Sequence, residues 1–428
     1  MNVLLIQSYL GENELPVYPL GLACLKSMLD KVSVRVFDPN LPMPGGCSPY
    51  TPLADMINQF HPDVIGISLR NIDSTNKRLV IFYFEEFVRL ISFVRNRTEA
   101  VIVAGGAGFS LFAESIMKSC PEIDFGVYLE GETTFAALLH NMNTPESVPS
   151  IYYRKKEKIV FTGVDKKVDF QFHVNPDMDA VLLSRFSLYP ESVGVETKRG
   201  CPFGCIYCPY GFLNGRSYRL KDPVRIVDGL ELMVATAGLQ TFSFTDSIFN
   251  VPRSHAEAVL REMIRRGLKL SWSAWYNERE LDESFVRLSI AAGCRSFIFS
   301  PDGYSDRVLK KLGKQLSRND IEKGLRLMID SRGCEVSYNF FKNPPGQTLV
   351  DFVSMVLFCF KARWHMGRRV HFEFNSLRIE PHTRLYDLAV AEGIIQAHED
   401  ILTPVYYSQK KTAYIETLIN VILRSIGK

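Results

Sequence analysis

Three cysteines, Cys201, Cys205 and Cys208, stand in the spacing Cys-x3-Cys-x2-Cys, with Tyr207 just before the last of them. Thiolates this close together are metal ligands by type and spacing. No fourth Cys or His follows nearby, and the next cysteine is Cys294. Three ligands on a cube of four irons leave one iron open to bind and activate a substrate, whereas four would close it. Zinc is the alternative, with four protein ligands in a structural site or three plus water in a catalytic one. Gly200, Pro202 and Gly204 oppose helix, so the backbone can wrap a cluster. A strand from Ser192 to Glu196 delivers the loop.

Elements that could position such a site can be read along the chain. Over the first ~140 residues strand and helix patterns alternate, which predicts a parallel α/β sheet. Predicted strands are 3–7, 34–38, 63–69, 100–105 and 125–129; predicted helices are 21–31, 53–60, 82–94, 112–119 and 133–142. Open sheets of this kind bind ligands at the carboxyl ends of their strands. Those ends read Gln7-Ser8, Asp38-Pro-Asn40, Arg70-Asn71, Gly105-Gly106-Ala-Gly108 and Glu130-Gly131-Glu132. Glycines there are expected to let the backbone approach a large flat ligand or its phosphate tail. Residues 143–190 are rich in Asn, Pro, Ser, Lys and Asp and read as a linker carrying a short hairpin (151–154 and 159–162). From 191 to ~385, strand then helix repeats about six times, at 193–196, 241–245, 270–274, 296–300, 335–339 and 370–374. Six repeats are too few for a closed eightfold barrel, so a partial one fits. A final helix is predicted over 413–425.

The cluster motif resembles that of the radical S-adenosylmethionine (SAM) superfamily, in which three Cys hold a [4Fe-4S] cluster and SAM chelates the fourth iron. The N-terminal loops Tyr18-Pro-Leu-Gly21, Val103-Ala-Gly-Gly-Ala-Gly108 and Leu129-Glu-Gly-Glu132 resemble the cobalamin-binding domain that precedes the barrel in one large subfamily. The resemblance implies an α/β chain with a Rossmann-like cobalamin-binding parallel sheet (1–145), a linker (146–190), a partial (β/α)6 radical SAM barrel (191–390) and a C-terminal helical cap (391–428). It also implies three cofactors: the [4Fe-4S] cluster, SAM and cobalamin.

Site residues follow from the same likeness. Cys201, Cys205 and Cys208 would hold the cluster, with Tyr207 beside it. Asp246 would accept from the SAM amino group, its other reading being a turn cap. Ser300 and Asp302 would meet the SAM ribose; the segment departs from the usual pattern at Gly303 and Tyr304. Gln7, Ser8, Gly21, Ser68, Arg70, Asn71, Gly105, Gly106, Gly108, Glu130, Gly131 and Glu132 would surround the corrin. The Asp-x-His-x-x-Gly signature of His-ligated cobalamin domains is absent, so no axial imidazole is expected. Arg70 is expected beneath the corrin without coordinating, as in the tryptophan 2-C-methyltransferase type. Trp275, Tyr276, Asn339, Glu373, Asn375, Arg378 and Glu380 are candidate substrate-lining residues.

The activity implied is methyl transfer to an unactivated carbon of a small molecule, through methylcobalamin and a 5′-deoxyadenosyl radical. A cyclase or rearrangement enzyme without methyl transfer is one alternative, and a non-catalytic cobalamin or SAM sensor another. An external low-potential electron donor of flavodoxin or ferredoxin type would be the partner. The bulk properties agree with such a protein. The chain has 428 residues, 46% hydrophobic and 23% charged, with a net charge of +3 that implies no nucleic-acid partner. The six other cysteines are scattered rather than arranged as a disulfide framework. No apolar run reaches ~18 residues, so no membrane span is expected, and a reducing cytoplasm is the expected location.

Overall fold

Val3, Leu4, Leu5 and Ile6 are all fully buried. An unbroken apolar run of this kind forms a strand covered on both faces, as in parallel sheets flanked by helices. In the computed structural model, which describes residues 1–11, 14–164, 175–189 and 191–425, this run is the core of strand β1 (Asn2–Gln7). The predicted linker and the C-terminal end therefore lie partly outside the described residues.

β1 pairs in parallel with β2 (Ser33–Phe37) and β3 (Val64–Ser68). β3 then pairs with β4 (Val101–Gly105), and β4 with β5 (Phe125–Val127). The hairpin β6 (Ile151–Lys155) and β7 (Lys158–Phe161) adds antiparallel to β5, so the ribbon read from sequence continues this sheet. The order is β2-β1-β3-β4-β5-β6-β7. Chain direction across the sheet reverses between β1 and β3, which is where a doubly wound sheet opens a crevice at its strand ends. Leu22, Leu29, Phe135, Leu138 and Leu139 close the core over one face. Helices fall at Leu20–Lys26, Tyr50–Phe60, Tyr83–Arg95, Ala107–Leu111, Ala113–Ser119 and Glu132–His140. The first stops five residues short of the predicted 31, because residues 27–31 leave the helix in turns and Lys31 takes φ 61°.

The second compact unit comprises Thr75–Leu79, Gly194–Glu231 and Leu239–Lys428. Its main sheet has six parallel strands: β8 (Gly194–Val195), β11 (Thr241–Phe244), β12 (Ser271–Tyr276), β13 (Cys294–Asp302), β14 (Glu335–Phe341) and β15 (Val370–Asn375). They neighbour one another in chain order from β8 to β15, as a partial (β/α)6 barrel requires. Two short antiparallel ribbons complete the unit, β9 (Lys198–Arg199) with β10 (Arg219–Leu220), and β16 (Leu377–Arg378) with β17 (Tyr406–Tyr407). An aromatic cluster packs in the barrel core: Phe244, Phe249, Trp272 and Tyr276 meet in stacked, tilted and edge-on pairs with ring centroids 4.6 to 5.8 Å apart. The outer helices are capped by side chains chosen for it. Ser317 with Asp320, and Thr348 with Asp351, form reciprocal capping boxes. The final helix is Ala413–Ser425. Among the described residues no helix is long and apolar enough to cross a membrane.

Candidate functional site

The loop bearing the three cysteines leaves β8 through Thr197, Lys198 and Arg199. Gly200 takes φ 93°, and a Cβ there would lie 2.0 Å from Ser217 O, so only glycine permits the crossing. The loop is then pinned by its own backbone. Cys201 N donates to Gly215 O at 3.0 Å, Ile206 N to Leu312 O at 3.0 Å, and Leu385 N to Ile206 O at 2.8 Å. Cys201, Cys205 and Cys208 all face one cavity of about 340 Å³. Its other walls are Phe203, Tyr207, Tyr210, Thr245–Ile248 at the end of β11, Trp275–Glu278 at the end of β12, Ser300 in β13, and Lys314–Leu316. The size lies at the lower end of small-molecule sites.

The donor set fits an iron–sulfur cluster. Burial pushes the Cys205 thiol above its usual value and that of Cys208 up to about 11. By themselves these thiols keep their protons at neutral pH. The thiolate is the ligand, and a multiply charged metal group draws the proton off. Among the described residues no three His, Cys, Asp or Glu side chains close on a single point. A cube takes its thiolates at separate corners, so the three need only share a wall.

Asp246 lines the cavity but does not have the role read from sequence. Its carboxylate accepts from Thr197 N at 2.8 Å, Lys198 N at 3.2 Å, the Thr197 hydroxyl, and Lys198 Nζ at 2.9 Å. Lys198 and Asp246 expose 1% and 0% of their side chains. Four donors saturate the two oxygens, so no acceptor is left for a SAM amino group; Asp246 instead ties the cluster loop to β11. Asp302 is likewise committed. It sits at φ 62° and takes the Tyr207 hydroxyl and the Lys314 ammonium. Ser300 lines the cavity, and its carbonyl accepts from Lys314 Nζ at 2.6 Å. Tyr304 turns into the core, donating to Glu322.

Of the candidate substrate residues, Trp275 and Tyr276 reach this cavity. Tyr276 is a wall, buried with its hydroxyl 3.3 Å from Cys294 Sγ. Asn339 is spent on Phe299 O, and Arg378 pairs with Glu380 at 2.7 Å, so these three hold the barrel together. Glu373 and Asn375 are exposed on β15 and do not line the cavity.

Among the cavity residues that escaped the sequence reading are two charge-bearing ones, Lys314 and Glu278. Lys314 is a half-buried cation lining the same cavity as the thiols. Glu278 is 2% exposed, and its Oε1 has no hydrogen-bond partner among the described residues. Gly324 makes room for it, since a Cβ there would lie 3.1 Å from Glu278 Cγ. The available signal was a carboxylate just past a barrel strand's carboxyl end. Burial lifts the Glu278 carboxyl from 4.5 to about 8. The folded unit thus holds a proton that the unfolded chain releases near pH 4.5. That stability is complete below the unfolded value and is lost as pH rises through about 8. In cluster-free protein, Tm is expected to fall between about pH 5 and pH 8, and Glu278→Gln, which cannot ionise, is expected to flatten that fall. Equal slopes in the two proteins would refute it.

In the first unit the strand ends form a second constellation. Gln7 Nε2 donates to Val17 O at 2.9 Å and reaches Asp38 at 3.4 Å. Asn40 donates to Asp38 and to Ser8 O. Ser8 is fully buried, and its Oγ has no partner among the described residues. Arg70 is exposed as a residue; desolvation of its guanidinium by the surrounding protein nevertheless holds it below the usual value. A Cβ on Gly21 would meet nothing within 4 Å. Glu130 and Glu132 flank Gly131 at the start of the helix Glu132–His140.

The glycine turn after β4 also packs against the protein itself. Gly106 sits at φ 100°, and a Cβ there would lie 2.6 Å from Leu69 O; one on Gly108 would lie 3.1 Å from the backbone of Leu69 and Asn71. Gly108 N donates to Leu69 O and Arg70 O, and Leu69 N to Gly105 O. These glycines let the turn grip the exit of β3, fixing Ser68, Arg70 and Asn71.

Comparison with known proteins agrees with both constellations. Residues 7–139 match the B12 binding domain family and residues 195–359 the radical SAM superfamily. An uncharacterized methyltransferase of Pyrococcus horikoshii is 24% identical over 393 residues, covering 88% of this chain and 79% of its own. The tryptophan 2-C-methyltransferase of Streptomyces laurentii is 32% identical over 304 residues (56% and 50%). An anaerobic magnesium-protoporphyrin IX monomethyl ester cyclase of Synechocystis is 26% identical over 250 residues (56% and 50%). The chain thus spans about half the length of the last two. Among solved structures, the radical SAM methyltransferase TsrM of Kitasatospora setae superposes with a TM-score of 0.78, covering 91% of this chain and 76% of that one; at 22% identity this speaks to the fold alone. The chain thus carries a B12-binding domain followed by a radical SAM domain whose three cysteines face one cavity, and in this pairing it is similar to the cobalamin-dependent radical SAM enzymes.

Proposed function

We propose that this enzyme is a methyltransferase acting on an unactivated carbon of a small organic molecule. The observation that carries the reading is the set of three thiols on one wall of a cavity, in a chain that also bears a B12-binding sheet. When bound, the cluster supplies the electron that cleaves SAM, and cobalamin carries the methyl group.

The chain's own residues bind and orient. Cys201, Cys205 and Cys208 would hold the cluster, and Tyr207 with Lys314 fixes Asp302. Ser300, Thr245 and the β12 end offer the walls against which SAM lies. In the first unit Gln7, Ser8, Gly21, Ser68, Arg70, Asn71 and the 105–108 and 130–132 turns receive the corrin. Arg70, whose backbone is held by the glycine turn, would meet cobalamin without offering a metal-ligating atom, since a guanidinium is always protonated. The corrin-binding domain is assigned to 1–145, with the hairpin extending its sheet, the barrel to 191–390 and the cap to 391–428. An external low-potential donor of flavodoxin or ferredoxin type delivers the electron in the cytoplasm.

The test is anaerobic purification, reconstitution with iron, sulfide and hydroxocobalamin, and metal analysis. About four irons and one cobalamin per chain are expected. Isotope-labelled SAM is then followed into S-adenosylhomocysteine, 5′-deoxyadenosine and product, with tryptophan among the first substrates tried because two of the similar proteins act on it or bind it. Deoxyadenosine without methyl loss would favour the cyclase reading, which the cyclase relatives support. Iron without cobalamin would overturn the methyl-carrier mechanism.

A further inference from the structure

One outer helix of the barrel unit, Leu349–Met366, has two apolar faces. One face buries Phe352, Met355, Phe358, Ala362 and Met366. Phe358 anchors it to the sheet, with its ring centroid 5.2 Å from that of Tyr338 and 6.1 Å from that of Phe340. The other face carries Val350, Val353, Leu357, Phe360 and Trp364, which are 74%, 47%, 62%, 69% and 86% exposed. Their steps of three, four, three and four residues place all five on one stripe, in the repeat by which helices pair side by side. A helix covered on a single face carries polar residues on the opposite one, so a second apolar face calls for a second cover.

We propose that this stripe is a homodimer interface, on which the same helix of a second copy of the chain lies antiparallel across a two-fold axis near Leu357. The inference goes beyond the proposed reaction and does not depend on it. The shape of the stripe argues for this occupant. Its small residues, Val350 and Val353, lie at one end and its large ones, Phe360 and Trp364, at the other, with Leu357 midway. Reversal sets the small end of each copy against the large end of the other, so the two surfaces interdigitate, and one patch serves both sides of a closed dimer. A parallel pairing would stack aromatic on aromatic at one end and leave valines facing a gap at the other. It would also bring together the ends that carry Lys361 and Arg363, both exposed, whereas reversal sends those charges to opposite ends of the interface.

The area argues the same way. Phe360 and Trp364, both mostly exposed, offer about 300 Å² between them, since an aromatic side chain carries roughly 150–250 Å². With the two valines and Leu357 the stripe comes to on the order of 600 Å² per chain, the upper end of what a monomer leaves in one apolar patch. Pairing two copies would remove on the order of 1,200 Å² from water, which reaches the range of specific interfaces. An aromatic pair at each end, packed against the other copy, gives the interface its anchors.

The experiment is sedimentation velocity of the full chain, purified and reconstituted without oxygen, over a range of concentrations. Wild-type protein is expected at twice the 48.7 kDa chain mass. Phe360→Glu and Val353→Lys, each alone, should weaken the dimer about a hundredfold. Circular dichroism and bound iron should not change, because both side chains are exposed and neither supports the barrel. An equal mixture of the two variants should recover the dimer, since only an antiparallel pairing brings the new lysine of one copy to the new glutamate of the other. A wild type that stays monomeric at every concentration would overturn the proposal, as would a dimer that survives Phe360→Glu. Variants that dissociate but do not recover on mixing would overturn the antiparallel arrangement. A monomer that instead binds phosphatidylglycerol vesicles, and loses them with Phe360→Glu, would give the stripe to a lipid surface and likewise overturn it.

Discussion

Cys208→Ala is expected to keep its secondary structure while bound iron falls from about four per chain to below one and turnover falls by at least a thousandfold. Two thiolates cannot hold a cube that three barely enclose. The fold does not depend on the missing sulfur, since the loop is anchored by backbone bonds from Cys201, Ile206 and Leu385. Replacing Cys294, Cys334 or Cys359 by Ala should leave the iron count unchanged. Cys294 and Cys334 are buried, with the Cys294 sulfur against the Tyr276 hydroxyl, and none of the three lines the cavity. Circular dichroism, iron analysis and product assay read the outcomes. A Cys208→Ala protein that kept four irons and its activity would remove the basis of the assignment.

Asp246→Asn is expected to cost about 3–5 kcal/mol in the barrel transition, the range for stripping one partner from a buried pair. The asparagine retains acceptors for Thr197 N and Lys198 N but leaves the Lys198 ammonium without a counter-charge in a site closed to water. Adding Lys198→Met should recover much of the loss by removing the stranded charge. Thermal unfolding followed by circular dichroism measures both. If Asp246→Asn kept its stability while KM for SAM rose, the carboxylate would be a SAM ligand after all. The distinction matters because Asp246 lies on the cavity wall, where its position suggests a ligand and only its hydrogen bonds argue otherwise.

Much of this architecture was legible from short-range patterns. The strands alternate with helices at the predicted places, because apolar runs such as Val3–Ile6 and Ile65–Ile67 are buried on both faces whatever surrounds them. The final helix has its predicted bounds. The hairpin at 151–161 was legible as a hairpin but not as the edge of a sheet, since pairing with β5 is a contact between distant segments. Glycines at 106 and 108 marked a tight turn; that they also grip the exit of β3 depends on where Leu69 comes to lie.

The cysteine spacing by itself determined the chemistry: three soft ligands within eight residues can be recognised in a linear chain, because they act together in any fold that lets the loop curl. Partners drawn from remote strands belong to the tertiary structure alone. It spent Asp246 on Thr197 and Lys198, committed Asp302 to Tyr207 and Lys314, left Glu278 with an unsatisfied oxygen, and set an ammonium in the cavity that the thiols line. Whether a carboxylate binds a ligand, clamps a loop or carries a proton follows from which donors reach it and how much water is excluded, and both are properties of the packed chain.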